Sequence, residues 1–182
     1  RLGVALSGRI AAEERVEEGR TVARLTDLGW GQRLRALLSP GTPDAPADDA
    51  LLAACVDVLT GWGWSQRPAA VLAMPSVRRP HLVASVADHL ATVGRLPNVG
   101  ALALTTDEPA GEPGGNSAFR LAAVHDRFAV PESVAAAIAA LDGPVLLVDD
   151  LVDSRWTMTV AGRLLRRAGA TAVLPFALAV AA

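Results

Sequence analysis

One segment constrains this chain more than any other: Val145-Leu146-Leu147-Val148-Asp149-Asp150-Leu151-Val152-Asp153-Ser154-Arg155-Trp156-Thr157-Met158. A run of apolar residues, β-branched at Val145 and Val148, fits a strand buried on both faces. Such a strand belongs in a parallel sheet covered by helices. Two carboxylates close the run, a short loop with a hydroxyl follows, and a helical period begins at Thr157. In open α/β sheets, ligands gather at the carboxyl ends of strands. A helix N-terminus offers free N–H groups and partial positive charge, which suits phosphate. Adjacent carboxylates suit the two cis hydroxyls of a ribose. A phosphate cradle and a diol clamp therefore fall within a few residues of each other.

The rest of the chain repeats the alternation of short apolar runs and helical periods. Strands are expected at Ala69–Met74, Val99–Thr105, Pro144–Asp149 and Ala172–Val180. Helices are expected from Asp48 or Asp49 to about Trp62, and at Pro80–Val93, Ser117–His125, Pro131–Leu141 and Thr157–Ala168. Strands alternating with helices imply an α/β fold with a mostly parallel sheet. Upstream, Leu2–Ser7 is a short apolar strand candidate. The charge run Glu13, Glu14, Arg15, Glu17, Glu18, Arg20 reads as an exposed helix with mixed-sign pairs three and four apart. Asp27–Gly31 breaks it, and Gln32–Leu38 is a second short helix. Ser39–Ala47, with three prolines and a glycine, is the clearest linker. The expected division is a strand and helical segment with linker over 1–47, then an α/β domain over 48–182.

Composition narrows the chemistry. Of 182 residues, 51% are hydrophobic and 20% charged, which excludes a disordered or collagen-like chain. No apolar run approaches the ~20 residues of a membrane span, so no membrane partner is expected. Three histidines and one cysteine exclude a His/Cys zinc site of ordinary spacing, and nothing points to haem or flavin. A single cysteine also excludes a disulfide framework and fits a reducing compartment. All 17 basic residues are arginine. Schiff-base, lysine-base and P-loop lysine chemistry are thereby excluded, and phosphate contacts fall to arginine, hydroxyls and backbone N–H groups. A net charge of −2 supplies no global field for nucleic acid. The chain opens on Arg1, as expected of a piece of a longer polypeptide.

The Val145–Met158 segment resembles the phosphoribosyltransferase signature, in which an apolar strand and two acids precede a phosphate loop usually ending Thr-Gly-x-Thr. The resemblance implies a three-layer, type I phosphoribosyltransferase-like fold. It also implies that Asp149 and Asp150 hold ribose hydroxyls, with Mg²⁺ accompanying a phosphoribosyl pyrophosphate-like ligand. Asp153, Ser154, Arg155, Trp156 and Thr157 would form the phosphate loop, Asp153 standing where purine-type members carry an acid near the leaving base. Arg155 departs from the pattern. It stands where the family has glycine, which lets backbone approach a phosphate. The turn Met74–Pro80 looks like the pyrophosphate loop of competence-protein-F-like phosphoribosyltransferases, with Ser76, Arg78 and Arg79 as its polar members. A solvated turn is the alternative. Glu108–Asn116 sits where the family keeps a mobile flap, or is a connector.

A second resemblance covers nearly the whole chain. EEGR…LTDLGWG, GWGW, the RRP turn, GGNSAFRLAAV and above all LVDDLVDSRWTMTVAGRLLRRAGA…VLPFALA are similar to the C-terminal region of actinobacterial RecQ-type ATP-dependent DNA helicases. The implied partners are the helicase core of the same polypeptide, DNA through that core, and a small phosphorylated ligand. The implied location is the cytoplasm, at the nucleoid. No GxxxxGK[ST] or DExH run occurs here, so this segment lacks the motor. Two roles besides ligand binding stay open: a non-catalytic docking module, or a surface for single-stranded DNA using Arg163, Arg166 and Arg167 with Arg78, Arg79, Arg33 or Arg35. Trp62 and Trp64 read as a packing plug or a base-stacking platform, Trp156 as a support beneath the loop or a stacking face, and Cys55 as a buried small hydrophobe.

Overall fold

The computed structural model describes residues 14–106, 126–153 and 155–181. The elements are β1 (Arg20–Arg24), α1 (Trp30–Leu37), α2 (Asp49–Thr60), β2 (Ala70–Ala73), α3 (Pro80–Gly94), β3 (Asn98–Ala101), β4 (Ala103–Leu104), β5 (Phe128–Ala129), α4 (Glu132–Ala139), β6 (Val145–Val152), α5 (Arg155–Arg167) and β7 (Val173–Val180). A five-stranded sheet runs in the order β1-β7-β6-β2-β3, with every neighbouring pair parallel. β4 and β5 form a separate antiparallel pair. The expected α/β architecture is therefore what the chain folds into. The helices expected at Ser117–His125 and the strand at Leu2–Ser7 lie outside the described residues.

Period-two alternation sorts the sheet's side chains into two cores. Val71, Ala73, Leu146, Val148, Leu174 and Phe176 face the layer of α1, α2 and α3, with Leu34, Leu51, Cys55 and Val86. Leu72, Met74, Val145, Leu147 and Val173 face α4 and α5, with Ile138, Ala161 and Leu165. β2, β7 and the first half of β6, Val145–Val148, are apolar at every position because both faces are covered. Asp48 caps α2, its Oδ1 accepting from Leu51 N–H at 2.9 Å, and Pro80 opens α3 at its first turn.

Two local expectations differ. From Arg15 on the charge run is no helix: residues 15–19 are irregular and Arg20–Arg24 is the edge strand β1. Exposed i,i+4 pairs stabilise a helix by only a few tenths of a kcal/mol each. Here they lose to main-chain pairing, with Glu17 N–H on Val173 O at 2.9 Å and β1 in register with β7. Glycine at 162 admits this segment: a Cβ there would stand 2.0 Å from Val16 Cγ1. Secondly, β6 does not stop at its acids. It runs to Val152 because β7 continues alongside, pairing Leu151 with Ala179 and Val152 with Val180.

Candidate functional site

β2 and β6 are parallel neighbours, with Ala73 beside Val148 and Met74 N–H on Val148 O at 2.7 Å. The turn after β2 and the acids of β6 therefore meet at the carboxyl edge of the sheet. Ser76 Oγ donates to Asp150 Oδ2 at 3.0 Å, across 74 positions of sequence. Arg79 N–H donates to Ser76 Oγ at 2.9 Å. A serine hydroxyl has one proton to give, so accepting from Arg79 leaves that proton for Asp150.

The two carboxyls differ sharply in environment. Asp150 is half-buried, whereas Asp149 is only 7% exposed. Burial pushes the Asp149 carboxyl well above the ordinary range, and the adjacent Asp150 charge pushes it further. The Asp150 N–H, on Asp149 Oδ1 at 2.9 Å, opposes this without reversing it. Asp149 thus holds its proton more tightly than an ordinary carboxyl, next to a more accessible acid.

The structure brings Ser76, Asp149 and Asp150 together. The expected phosphate loop is shorter than its sequence suggests: with β6 ending at Val152 and α5 starting at Arg155, only positions 153 and 154 intervene. Thr157 stands in the first turn of α5, and Trp156 packs half-buried against the second core, as a support rather than an exposed face. Asp153 is exposed. Ser154 and the proposed flap at Glu108–Asn116 lie outside the described residues.

Arg78 and Arg79, adjacent in sequence, go to different places. Arg78 is exposed and makes no ion pair among the described residues. Arg79 is 6% exposed and turns away from the edge. Its guanidinium donates to Ser39 O and Thr42 O, both at 2.5 Å, and its Nε has no partner among the described residues.

These contacts reach the Ser39–Ala47 segment, which sequence reading gave only as a linker. Asp44 from the same segment caps α3 from outside, accepting from His81 N–H at 2.8 Å and Leu82 N–H at 3.2 Å. Burial alone would raise the Asp44 carboxyl, but those N–H groups and the His81 ring outweigh it and hold it below the ordinary range. Ala47 N–H bonds Ser85 Oγ at 2.9 Å. No local pattern announces these roles. Proline and glycine mark a segment without regular structure, and say nothing about what its carbonyls touch.

A cavity of about 640 Å³ lies between β1, the end of β7 and the start of α5, lined among others by Arg20, Arg24, Thr21, Asp153, Met158 and Thr159. It shares Asp153 with the expected phosphate loop but does not include the acid pair or the β2–α3 turn. The arginines weighed as a DNA surface are dispersed. Arg33 and Arg35 ride on α1 on one face of the sheet, and Arg163 and Arg167 on α5 on the other, both bonded to Glu14. Arg33 pairs with Asp48 and lies 4.7 Å from the Trp30 ring. Trp62 and Trp64 stack at 5.2 Å, with Trp62 in the first core, so they plug the packing there. Cys55 is fully buried, and its thiol is pushed up to about 12 by that burial.

Among the described residues no cluster of three or more His, Cys, Asp or Glu side chains is placed to hold a metal. The accessible carboxyl of Asp150 fits a Mg²⁺ that arrives with a ligand's phosphates better than a resident ion, since Mg²⁺ commonly takes one or two carboxylates plus phosphate oxygens. Among the same residues no helix is long and apolar enough to cross a membrane. The class defined by fold and site is an α/β protein with an acid pair and a serine-bearing turn at the carboxyl edge of adjacent parallel strands. No family model matches this chain, and no curated protein matches it.

Proposed function

We propose that this chain is a phosphoribosyltransferase-like module that binds a phosphoribose or nucleotide ligand at the carboxyl edge of β2 and β6, as a regulatory C-terminal region of a RecQ-type DNA helicase. The observation that carries the binding reading is the Ser76–Asp150 hydrogen bond, which joins the two motifs singled out in the sequence. Asp150 offers a carboxylate to ribose hydroxyls. Asp149, whose pKa is raised by burial, lies next to it and can donate when protonated. Arg78 offers an exposed guanidinium to a pyrophosphate, and the backbone N–H groups of the first α5 turn face a 5′-phosphate. Mg²⁺ enters with the ligand. Binding is favoured over group transfer by Arg155, a side chain where close backbone approach to phosphate calls for glycine. The dispersed arginines do not favour the single-stranded-DNA surface.

The test is calorimetric titration with phosphoribosyl pyrophosphate and Mg²⁺, with a single-stranded oligonucleotide in parallel. Micromolar binding of the sugar phosphate, lost in a folded Asp149→Asn/Asp150→Asn variant, is the expected result. Undiminished affinity in that variant refutes the ribose clamp. Binding of the oligonucleotide alone, or of neither ligand, refutes the whole reading and leaves DNA contact or protein docking in its place.

A further inference from the structure

We propose that Arg79 is a positioning residue: by fastening the Ser39–Ala47 segment against the β2–α3 turn, it commits the Ser76 hydroxyl to Asp150 and leaves Arg78 as the arginine that meets the ligand. The inference deepens the reading of the carboxyl edge as a binding site and rests on it for the ligand's identity.

A buried guanidinium is costly unless paired. Arg79 has no carboxylate partner among the described residues. It is held by two carbonyls, with Nε unsatisfied. A plain packing role would be filled as cheaply by an apolar side chain of similar length. What such a side chain would not do is tie the Ser39 and Thr42 carbonyls to the turn whose main chain holds Ser76. The Arg79 guanidinium fixes the carbonyls of Ser39 and Thr42, the main-chain N–H of the same residue fixes the Ser76 oxygen, and the Ser76 proton reaches Asp150. Thr42 is itself held, its hydroxyl on Ala36 O at 2.7 Å, and Asp44 and Ala47 tie the same segment to α3. The strap is therefore anchored on both sides of the arginine. Loss of the guanidinium frees the turn that carries Ser76, whereas loss of the neighbouring Arg78 disturbs none of these bonds.

The experiment uses the full chain with Arg78→Ala, Arg79→Met, Arg79→Lys, Ser76→Ala and the Arg79→Met/Ser76→Ala pair. Two readouts are taken: amide resonances of Ser76 and Asp150 without ligand, and affinity for phosphoribosyl pyrophosphate with Mg²⁺. The expected result is that Arg79→Met moves both resonances and weakens binding about tenfold, the scale of one charge-assisted hydrogen bond. The double variant should then bind no more weakly than Ser76→Ala, because the Arg79 side chain acts on the site only by positioning the Ser76–Asp150 bond. Arg79→Lys, which keeps the cation and can reach one carbonyl, should restore part of the effect. It also serves if Arg79→Met does not fold. Arg78→Ala should weaken binding while leaving both resonances in place. Unmoved Ser76 and Asp150 resonances in a folded Arg79 variant overturn the positioning role, as do additive losses in the double variant. If the resonances move but the wild-type chain does not bind the sugar phosphate, the positioning role stands and the ligand reading falls.

Discussion

Replacing Asp149 with asparagine should stabilise this protein at neutral pH and leave it almost unchanged near pH 4. The folded chain holds the Asp149 proton tightly, since burial and then the Asp150 charge raise its pKa well above the ordinary value. The unfolded chain releases it near that ordinary value, about 3.9. Above it the native state binds more protons than the unfolded state, so stability falls as pH rises, until the native pKa is passed. The slope for one proton is about 1.4 kcal/mol per pH unit. Asparagine has the shape of the protonated acid. Its Oδ1 can keep the bond from Asp150 N–H, and its amide can donate as the acid's proton does. The variant lacks the ionisation that costs the wild type. Urea unfolding of both proteins between about pH 4 and pH 8 measures the difference. It should be near zero at the acid end, grow at up to about 1.4 kcal/mol per unit, and then level off. The carboxylates that are depressed in the fold, such as Asp44 and Asp48, are common to both proteins and cancel. A difference that does not vary with pH, or a variant that loses ground as pH rises, would refute the assignment of the buried proton to Asp149.

Three further outcomes are expected. Gly162→Ala should destabilise by about 1–3 kcal/mol through overpacking against Val16, in spite of the better helix propensity of alanine, and Val16→Ala should relieve the loss in the double variant; thermal melts of the three proteins check this, and no relief would refute the contact. Cys55 should resist thiol reagents at neutral pH until the chain unfolds, because its thiol is buried and pushed up to about 12; rapid labelling of the native protein would contradict it. Asp48→Ala should cost about 1 kcal/mol by removing the α2 cap. Leu51 N–H and Arg33 hold the Asp48 carboxyl below its ordinary range, so its contribution is present above the ordinary pKa. It is lost as pH falls through the folded value, and wild type and Asp48→Ala should converge in acid. A deficit that persists in acid would argue against the charged cap.

Local pattern sufficed for the elements whose making is local. The apolar run Val145–Val148 could only be a covered strand, Pro80 and the apolar spacing of Leu82, Val83, Val86 and Leu90 specified α3, and Asp48 or Asp49 stood where a cap must. The acid pair and the Ser76–Arg79 turn were legible as carboxyl-edge features, because strand, polar turn and helix follow one another in the chain. Other properties depend on which strands become neighbours. Whether Ser76 reaches Asp150 is settled by β2 lying beside β6, a pairing between segments some seventy residues apart. How far β6 extends past its acids is settled by β7. Helix or strand for Arg20–Arg24 is settled by a free sheet edge, which outweighs weak charge pairs. Which of two adjacent arginines is buried is settled by a distant pair of carbonyls at Ser39 and Thr42. Sequence determined the period of each element and the chemistry at its end, since both arise within one turn of chain. Tertiary structure alone decided burial, and burial decides which carboxyl holds its proton more tightly and which of two adjacent guanidinium groups stays exposed.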